Sequence, residues 1–192
     1  MRHDPKKMTK IVRGDKIGRL FWKVIEQMVE NSAVIDSEQA RMQKDILTYL
    51  GMWHNISKNP DIPYGNLAGF ILHEGRFWTP SPLPSKIPKG KAKQCFNNAH
   101  DLALKRGLTY VEGYAMRIIP IEHAWCVDPK TGEVIDNTWS DPETASYFGV
   151  PFKTDFVTDT VVHQGYYGIL GNPRLCHGLI TGDITGWRHE IA

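Results

Sequence analysis

The sequence predicts an α+β fold, and three observations lead to that prediction. Apolar residues recur at intervals of three and four over residues 16–31 and again over residues 40–53, which is typical of amphipathic helices. After Gly107 the apolar residues alternate with polar ones instead, which is typical of strands. Two of these strand patterns are separated by a Pro-and-Gly turn at residues 129–132. At 192 residues, the chain is long enough for one domain with a small helical extension.

The first third of the chain predicts two helices. The first covers residues 16–31, and the second begins at Asp36 or Ser37, either of which is a suitable N-cap. Their apolar faces comprise Ile17, Leu20, Phe21, Val24, Ile25, Met28 and Val29 in the first helix, and Ala40, Ile46, Leu47, Leu50 and Trp53 in the second. We therefore predict a division into residues 1–58, a basic arm with a helical extension, and residues 59–192, the main domain.

Residues 59–90 lack a helical periodicity, and six prolines lie among them. Because proline fixes its own φ and disfavours helix in the residue before it, most of this region is predicted to be extended loop. One short strand is expected within residues 70–80. Residues 94–108 are then predicted to form a helix of about three turns that has Cys95 in its first turn and Gly107 as the residue that ends it.

Three strands are predicted in close succession after this helix, over residues 109–119, 122–128 and 133–139. Because short connections join them, they are expected to form an antiparallel meander. The rest of the chain adds one or two further strands or helical turns, whose positions the pattern does not determine.

The turn between the second and third strands sets the register of a hairpin. Pro129 suits the first central position of a type I turn, and Gly132 supplies a residue with positive φ. These preferences predict a four-residue loop that joins Asp128 to Glu133.

This register decides which side chains of the hairpin share a face. Cys126 would pair with Ile135, and by alternation His123 and Asp136 would lie on the opposite face as diagonal neighbours. A three-residue loop with a bulge would shift the register by one and put Asn137 beside His123 instead. Either register gives His123 a polar partner that orients its ring.

Cys95 is the only one of the three cysteines that is predicted to lie in the first turn of a helix. There, unpaired backbone N–H groups and the positive end of the helix dipole favour a thiolate over a thiol. A neighbouring imidazolium would stabilise that thiolate further, and cysteine nucleophiles depend on such an ion pair.

Composition argues against several other classes of function. The net charge of +2 does not by itself predict binding to nucleic acid or to a membrane. The Lys- and Arg-rich first sixteen residues could contact nucleic acid phosphates, but a solvated terminus is favoured. We expect a cytoplasmic protein, because no apolar run approaches the ~18 residues of a membrane span and no secretory signal is evident. Three cysteines without a CxxC pair do not favour a disulfide framework.

Three short motifs, KQCFNNAHDLA, EHAW and VIDNTW, lie in this order within residues 93–139. Together they resemble the transglutaminase-like branch of the papain-like cysteine enzymes. In that family a helix N-terminus carries the nucleophile, one strand carries HAW or HVW, and the next carries an Asp in a D-x-T context. The chain departs from the family at Phe96, where many members have Trp. The motifs YVEGYA and YFGVPF are similar to a bacterial and phage set that shares this core.

The resemblance implies a fold and a set of roles. The fold would be a papain/transglutaminase-like core, in which the nucleophile helix packs on an antiparallel sheet. Cys95 would be the nucleophile, His123 the general base and acid, and Asp136 the residue that fixes the ring's tautomer and orientation. The backbone N–H of Cys95 and the side chain of Gln94 would stabilise the oxyanion.

The implied activity is acyl transfer on an amide, without a cofactor and with a protein or peptide as substrate. Hydrolysis is favoured over crosslinking, because an acyl-enzyme open to water hydrolyses unless an amine is held in place. Trp125 and Trp139 are candidates for the wall of a substrate groove, although most aromatic residues of a covered sheet belong to its core.

Two alternatives remain open. A binding or inhibitory module could keep this fold without the chemistry and recognise a partner through the N-terminal helices and basic arm. A zinc site formed by His123, Cys126, Cys176 and His177 is disfavoured, because Cys126 would point away from His123 and no paired-ligand spacing is present.

Overall fold

A computed structural model of the protein describes residues 37–189. The predicted helix over residues 16–31 and the basic segment before it lie outside the described residues. Within them, five α-helices and five strands follow one another in the order helix, helix, strand, helix, four strands, helix, helix. The predicted α+β class is confirmed.

The helices are α1 (Ser37–Ser57), α2 (Leu67–Glu74), α3 (Cys95–Arg106), α4 (Thr154–Gln164) and α5 (Pro173–Thr181). The strands are β1 (Arg76–Trp78), β2 (Thr109–Met116), β3 (Pro120–Val127), β4 (Val134–Ile135) and β5 (Ser146–Phe152), with a short 3-10 helix at Pro142–Thr144. The predictions of α1, of α3 with its left-handed Gly107, and of the short strand β1 are therefore confirmed. Among residues 37–189, none of the helices is both long and apolar enough to cross a membrane.

The five strands form one sheet in the order β1-β5-β2-β3-β4, and all neighbours are antiparallel. The predicted meander is confirmed for β2, β3 and β4. The sequence did not place β5, which pairs with β2 on the side away from β3. β4 is shorter than predicted, because the chain turns away from the sheet at Asp136.

The sheet buries both of its faces. One face packs on helices in a core that includes Leu47 from α1, Phe70 from α2 and Ala103 from α3. The other face carries a smaller core, which contains Trp125 and Tyr147. Because α1 shares the first core with residues after 58, it is packed against the main domain. The predicted division at residue 58 stays a prediction.

Two local predictions are wrong. Residues 67–74 form α2 instead of loop, and its centre is buried at four consecutive positions, so it shows no amphipathic period. The helix begins at an N-cap, Asn66, whose side chain accepts a hydrogen bond of 2.9 Å from the Gly69 backbone. Trp53, predicted on the apolar face of α1, is 46% exposed, and its neighbour His54 is buried instead.

Gly113 occupies a position on β2 that leaves no room for a side chain. A Cβ atom there would lie 2.2 Å from the carbonyl oxygen of Phe148 and 2.4 Å from the Cα of Gly149, both of which are backbone atoms of β5. We expect Gly113→Ala to lower the free energy of unfolding by about 2 kcal/mol or more, because β5 must shift to relieve the clash. Urea unfolding measures the loss. Gly171→Ala is the control, since its Cβ would meet only the Tyr166 hydroxyl at 3.6 Å; equal losses for the two variants would contradict the expectation.

Candidate active site

The chain makes a sharp turn immediately before α3. Lys93 has a φ of 63° and is the only non-glycine among the described residues in the left-handed region, a conformation that costs free energy. Asn98 holds the incoming loop: its Nδ2 donates to the Lys91 carbonyl at 2.8 Å, and its Oδ1 accepts from the Lys91 N–H at 3.1 Å. Cys95 therefore stands at the first position of α3, as predicted, and is half-buried.

The hairpin between β3 and β4 has the predicted register. The Asp128 N–H donates to the Glu133 carbonyl at 3.0 Å, and Gly132 has a φ of 75°. Cys126 pairs with Ile135. The four-residue loop is confirmed, and the bulged alternative is wrong.

This register brings His123 and Asp136 into contact. His123 Nε2 lies 2.8 Å from Asp136 Oδ2, and both side chains are buried. The other carboxylate oxygen, Oδ1, accepts the backbone N–H groups of Thr138 at 2.8 Å and Trp139 at 3.3 Å. These two bonds turn the chain after Ile135 and hold Oδ1 of the carboxylate to this loop.

The contact perturbs both pKa values. Burial alone would lower the pKa of His123, but the hydrogen bond and charge of Asp136, with a contribution from Cys95, raise it to about 9. Burial opposes ionisation of Asp136, but the hydrogen bond and charge of His123, together with the N–H groups of Thr138 and Trp139, hold its pKa below the ordinary value. The pair is therefore an imidazolium and a carboxylate at neutral pH.

Cys95 is the thiol that lies next to this pair. Burial would raise its pKa, but hydrogen bonding to His123, the charge of that ring and the backbone N–H groups of Ala124 and Phe96 together lower it. Because Asp136 occupies Nε2 of the ring, Nδ1 is the nitrogen left to face Cys95. The structure thus brings together the three side chains that the sequence singled out.

The other two cysteines differ from Cys95. Burial raises the pKa of both Cys126 and Cys176. Cys126 points to the helix face of the sheet, where its Sγ lies 3.1 Å from the Ala99 carbonyl oxygen. His123 faces the opposite side, so a metal site that combines it with Cys126 is not formed. Within residues 37–189, no cluster of three or more His, Cys, Asp or Glu side chains has the geometry of a metal site.

Trp139 packs directly on the imidazole. The two rings are stacked with centroids 4.7 Å apart and planes inclined by 28°, which favours the imidazolium through cation–π attraction. Trp125 is 1% exposed and belongs to the smaller core, so it does not line an open groove. A role for the half-buried Trp139 in binding substrate stays a prediction.

Gln94 is the N-cap residue of α3. Its side chain is exposed and makes no capping hydrogen bond. Its predicted part in stabilising an oxyanion stays a prediction.

The proline-rich loop before α3 is attached to the segment that carries Asp136. The Gly90 N–H donates to the Asn137 carbonyl at 2.8 Å, and Asn98 Nδ2 lies 2.9 Å from Thr138 Oγ1. Lys89 Nζ also donates a hydrogen bond to the carbonyl oxygen of Trp139. These contacts join the loop that carries Asp136 to α3 and to the segment before it.

Sequence reasoning missed Glu112, a buried carboxylate in the wall of a narrow pocket that Phe96 and His123 also line. It accepts hydrogen bonds from the Tyr110 hydroxyl at 2.5 Å and from the backbone N–H groups of Ile169 and Leu170 at 2.6 and 2.9 Å. Burial raises its pKa to about 7, although these three donors oppose the shift. An acid flanked by Val111 and Gly113 in an apolar strand was the signal that could have revealed it.

Comparison with protein-family models, with curated proteins and with solved structures gives no match for this chain. Evidence on function therefore comes from the geometry and electrostatics of the site.

Proposed function

We propose that the protein is a thiol enzyme with a papain/transglutaminase-like core that transfers the acyl group of an amide. Cys95 is the nucleophile, His123 the general acid and base, and Asp136 the residue that orients the imidazole. The observation that supports this most strongly is the contact of all three side chains, with a lowered pKa at Cys95 and a raised pKa at His123. Those opposite shifts are expected of a thiolate–imidazolium pair.

In the first half of the reaction, the Cys95 thiolate attacks the amide carbonyl carbon. The C–N bond breaks as His123 gives its proton to the leaving amine, and a thioester remains on Cys95. The backbone N–H groups in the first turn of α3, which have no partner within the helix, would donate to the transient oxyanion.

In the second half, neutral His123 takes a proton from water as the water oxygen adds to the thioester carbonyl. The C–S bond then breaks, which releases a carboxylic acid and restores the thiolate–imidazolium pair. Hydrolysis of a peptide or isopeptide bond is favoured over crosslinking, because Cys95 is only half-buried and water resolves an accessible acyl-enzyme.

Selective alkylation tests the activated thiol. At pH 6, iodoacetamide is expected to modify Cys95 at least about tenfold faster than Cys176, because only thiolate reacts and the two pKa shifts have opposite signs. Cys176 is the matched control because, like Cys95, it is half-buried. Cys126 is not matched, because it is fully buried. Peptide mapping after timed quenching measures the three rates. Equal rates at Cys95 and Cys176 would show that the thiol is not activated.

The Cys95→Ala variant separates catalysis from binding. The proposed enzyme loses its biological activity with this substitution, whereas a module that acts only by binding keeps it. Cys176→Ala is the control for general effects of thiol removal.

A further inference from the structure

Tyr147 contacts the candidate site from a strand that carries none of the three motifs. Its hydroxyl donates to Asp136 Oδ2 at 3.1 Å, the same oxygen that bonds His123 Nε2 at 2.8 Å. The side chain is fully buried. Burial, followed by the charge and the hydrogen bond of Asp136, raises the pKa of Tyr147 far above its ordinary value, so the hydroxyl keeps its proton and remains a donor at neutral pH.

Tyr147 lies on β5, and β2 stands between this strand and β3. Its neighbour on β2 is Ala115, and the next residue on that face toward His123 is Gly113. Neither residue carries a side chain larger than a methyl group on this face of β2. The ring also meets Trp125, with centroids 5.1 Å apart in an edge-to-face arrangement.

The hydroxyl completes the hydrogen bonding of the carboxylate. The two oxygens of an ionised carboxylate offer about four acceptor positions. In Asp136, two backbone N–H groups bond Oδ1, and His123 and Tyr147 bond Oδ2. The backbone bonds hold one oxygen to its loop. Tyr147 and His123 bond the other oxygen, so without Tyr147 only the bond to His123 opposes rotation of Oδ2 away from the imidazole plane.

We infer that Tyr147 is a positioning residue, whose hydroxyl holds Asp136 Oδ2 in line with His123 Nε2 and thereby keeps Nδ1 turned toward Cys95. This inference rests on the proposed function. A phenylalanine would fill the same space in the smaller core, so the hydroxyl rather than the ring carries the effect. Without this alignment the charged form of His123 is less stable, and the Cys95 thiolate that it stabilises is therefore less stable too.

The test is the pH profile of Cys95 alkylation by iodoacetamide in Tyr147→Phe between pH 5 and 9. We expect alkylation at pH 6 to slow by about tenfold, which is the size of effect seen when a hydrogen-bond partner that orients a histidine in a metal site is removed. We also expect the pH profile of alkylation to move toward higher pH. Tyr64→Phe is the matched control, because its hydroxyl also donates to a carboxylate, that of Glu74 at 2.6 Å, away from the three site residues. An unchanged profile in Tyr147→Phe overturns the inference.

A rescue variant separates the hydroxyl from packing. Tyr147→4-aminophenylalanine keeps a donor in the same place, and we expect it to restore the wild-type profile. Both variants are measured at a temperature where circular dichroism shows them folded. Rescue that fails in the folded protein overturns the positioning role. If wild-type Cys95 itself reacts no faster than Cys176, the proposed function fails instead, so the two failures are distinguishable.

Discussion

Asp136→Ala is expected to lower the free energy of unfolding by about 3–5 kcal/mol and to abolish the fast alkylation of Cys95. The loss of stability follows from the burial of this carboxylate and of its partner His123, which are 1% and 2% exposed. Removing the acid leaves a buried imidazolium, the Tyr147 hydroxyl and two backbone N–H groups without their acceptor. The loss of reactivity follows because the imidazolium is the main group that stabilises the Cys95 thiolate.

Urea unfolding at pH 6 and alkylation at the same pH measure the two effects. Asp141→Ala is the matched control, because Asp141 forms an ion pair with Arg117 at 3.6 Å on the surface. The side chain of Asp141 is 56% exposed. Exposed pairs contribute about 0–1 kcal/mol, so the control should be nearly as stable as the wild type. A loss below about 1 kcal/mol in Asp136→Ala, equal to that of the control, would contradict the ion pair.

Raising the pH from 4.5 to 9 is expected to destabilise the protein progressively, in two stages. Glu112 has its pKa raised from 4.5 to about 7, so the folded state binds more protons than the unfolded state between these values. The contribution of Glu112 to the free energy of unfolding is fully present below pH 4.5 and is lost as the pH rises through 7. His123 has its pKa raised from 6.5 to about 9, so its own contribution is complete below pH 6.5 and is lost as the pH rises through 9. The lowered pKa of Cys95 opposes this second stage, because its contribution to stability grows as the pH rises toward 9. The first stage lowers the free energy of unfolding by about 3 kcal/mol, and the second stage is smaller because Cys95 opposes it.

Acid limits the stable range on the other side. Because the pKa of Asp136 is lowered from 3.8 in the folded state, its contribution is present above pH 3.8 and is lost as the pH falls below that value. The three groups together place maximum stability near pH 4–5.

Urea unfolding at pH 4.5, 7 and 9 tests this curve. Glu112→Gln should flatten the stage between pH 4.5 and 7, and His123→Gln the stage between pH 6.5 and 9. His163→Gln, an exposed histidine on α4, is expected to leave both stages in place. A stability that stays constant from pH 4.5 to 9 in the wild type would refute the coupling of these groups to folding.

The hairpin illustrates how much of the site local sequence can specify. The turn between Asp128 and Glu133 contains a proline and a glycine that favour a single loop length. The alternation of side chains along the two strands then places His123 and Asp136 on the same face. The end of α3 is local in the same sense, because Gly107 adopts the left-handed conformation that ends a helix.

The helix α2 and Glu112 show where local reasoning fails. α2 is surrounded by other elements, so its residues are apolar without a period and resemble a strand or loop. Glu112 is stabilised in the core by the backbone N–H groups of Ile169 and Leu170, nearly sixty residues later in the chain. No pattern near Glu112 shows those donors, because the fold alone brings them to it.

The sequence by itself determined the α+β class, the order of cysteine, histidine and aspartate, and the face on which the last two meet. Each of these depends on the residue types and spacing within a short segment. Only the tertiary structure decided that Cys95 lies against His123, that Trp139 stacks on that ring and that Tyr147 bonds the same carboxylate. These contacts join α3, the β3–β4 hairpin and β5. They depend on how separate elements pack against one sheet, which spacing along the chain does not encode.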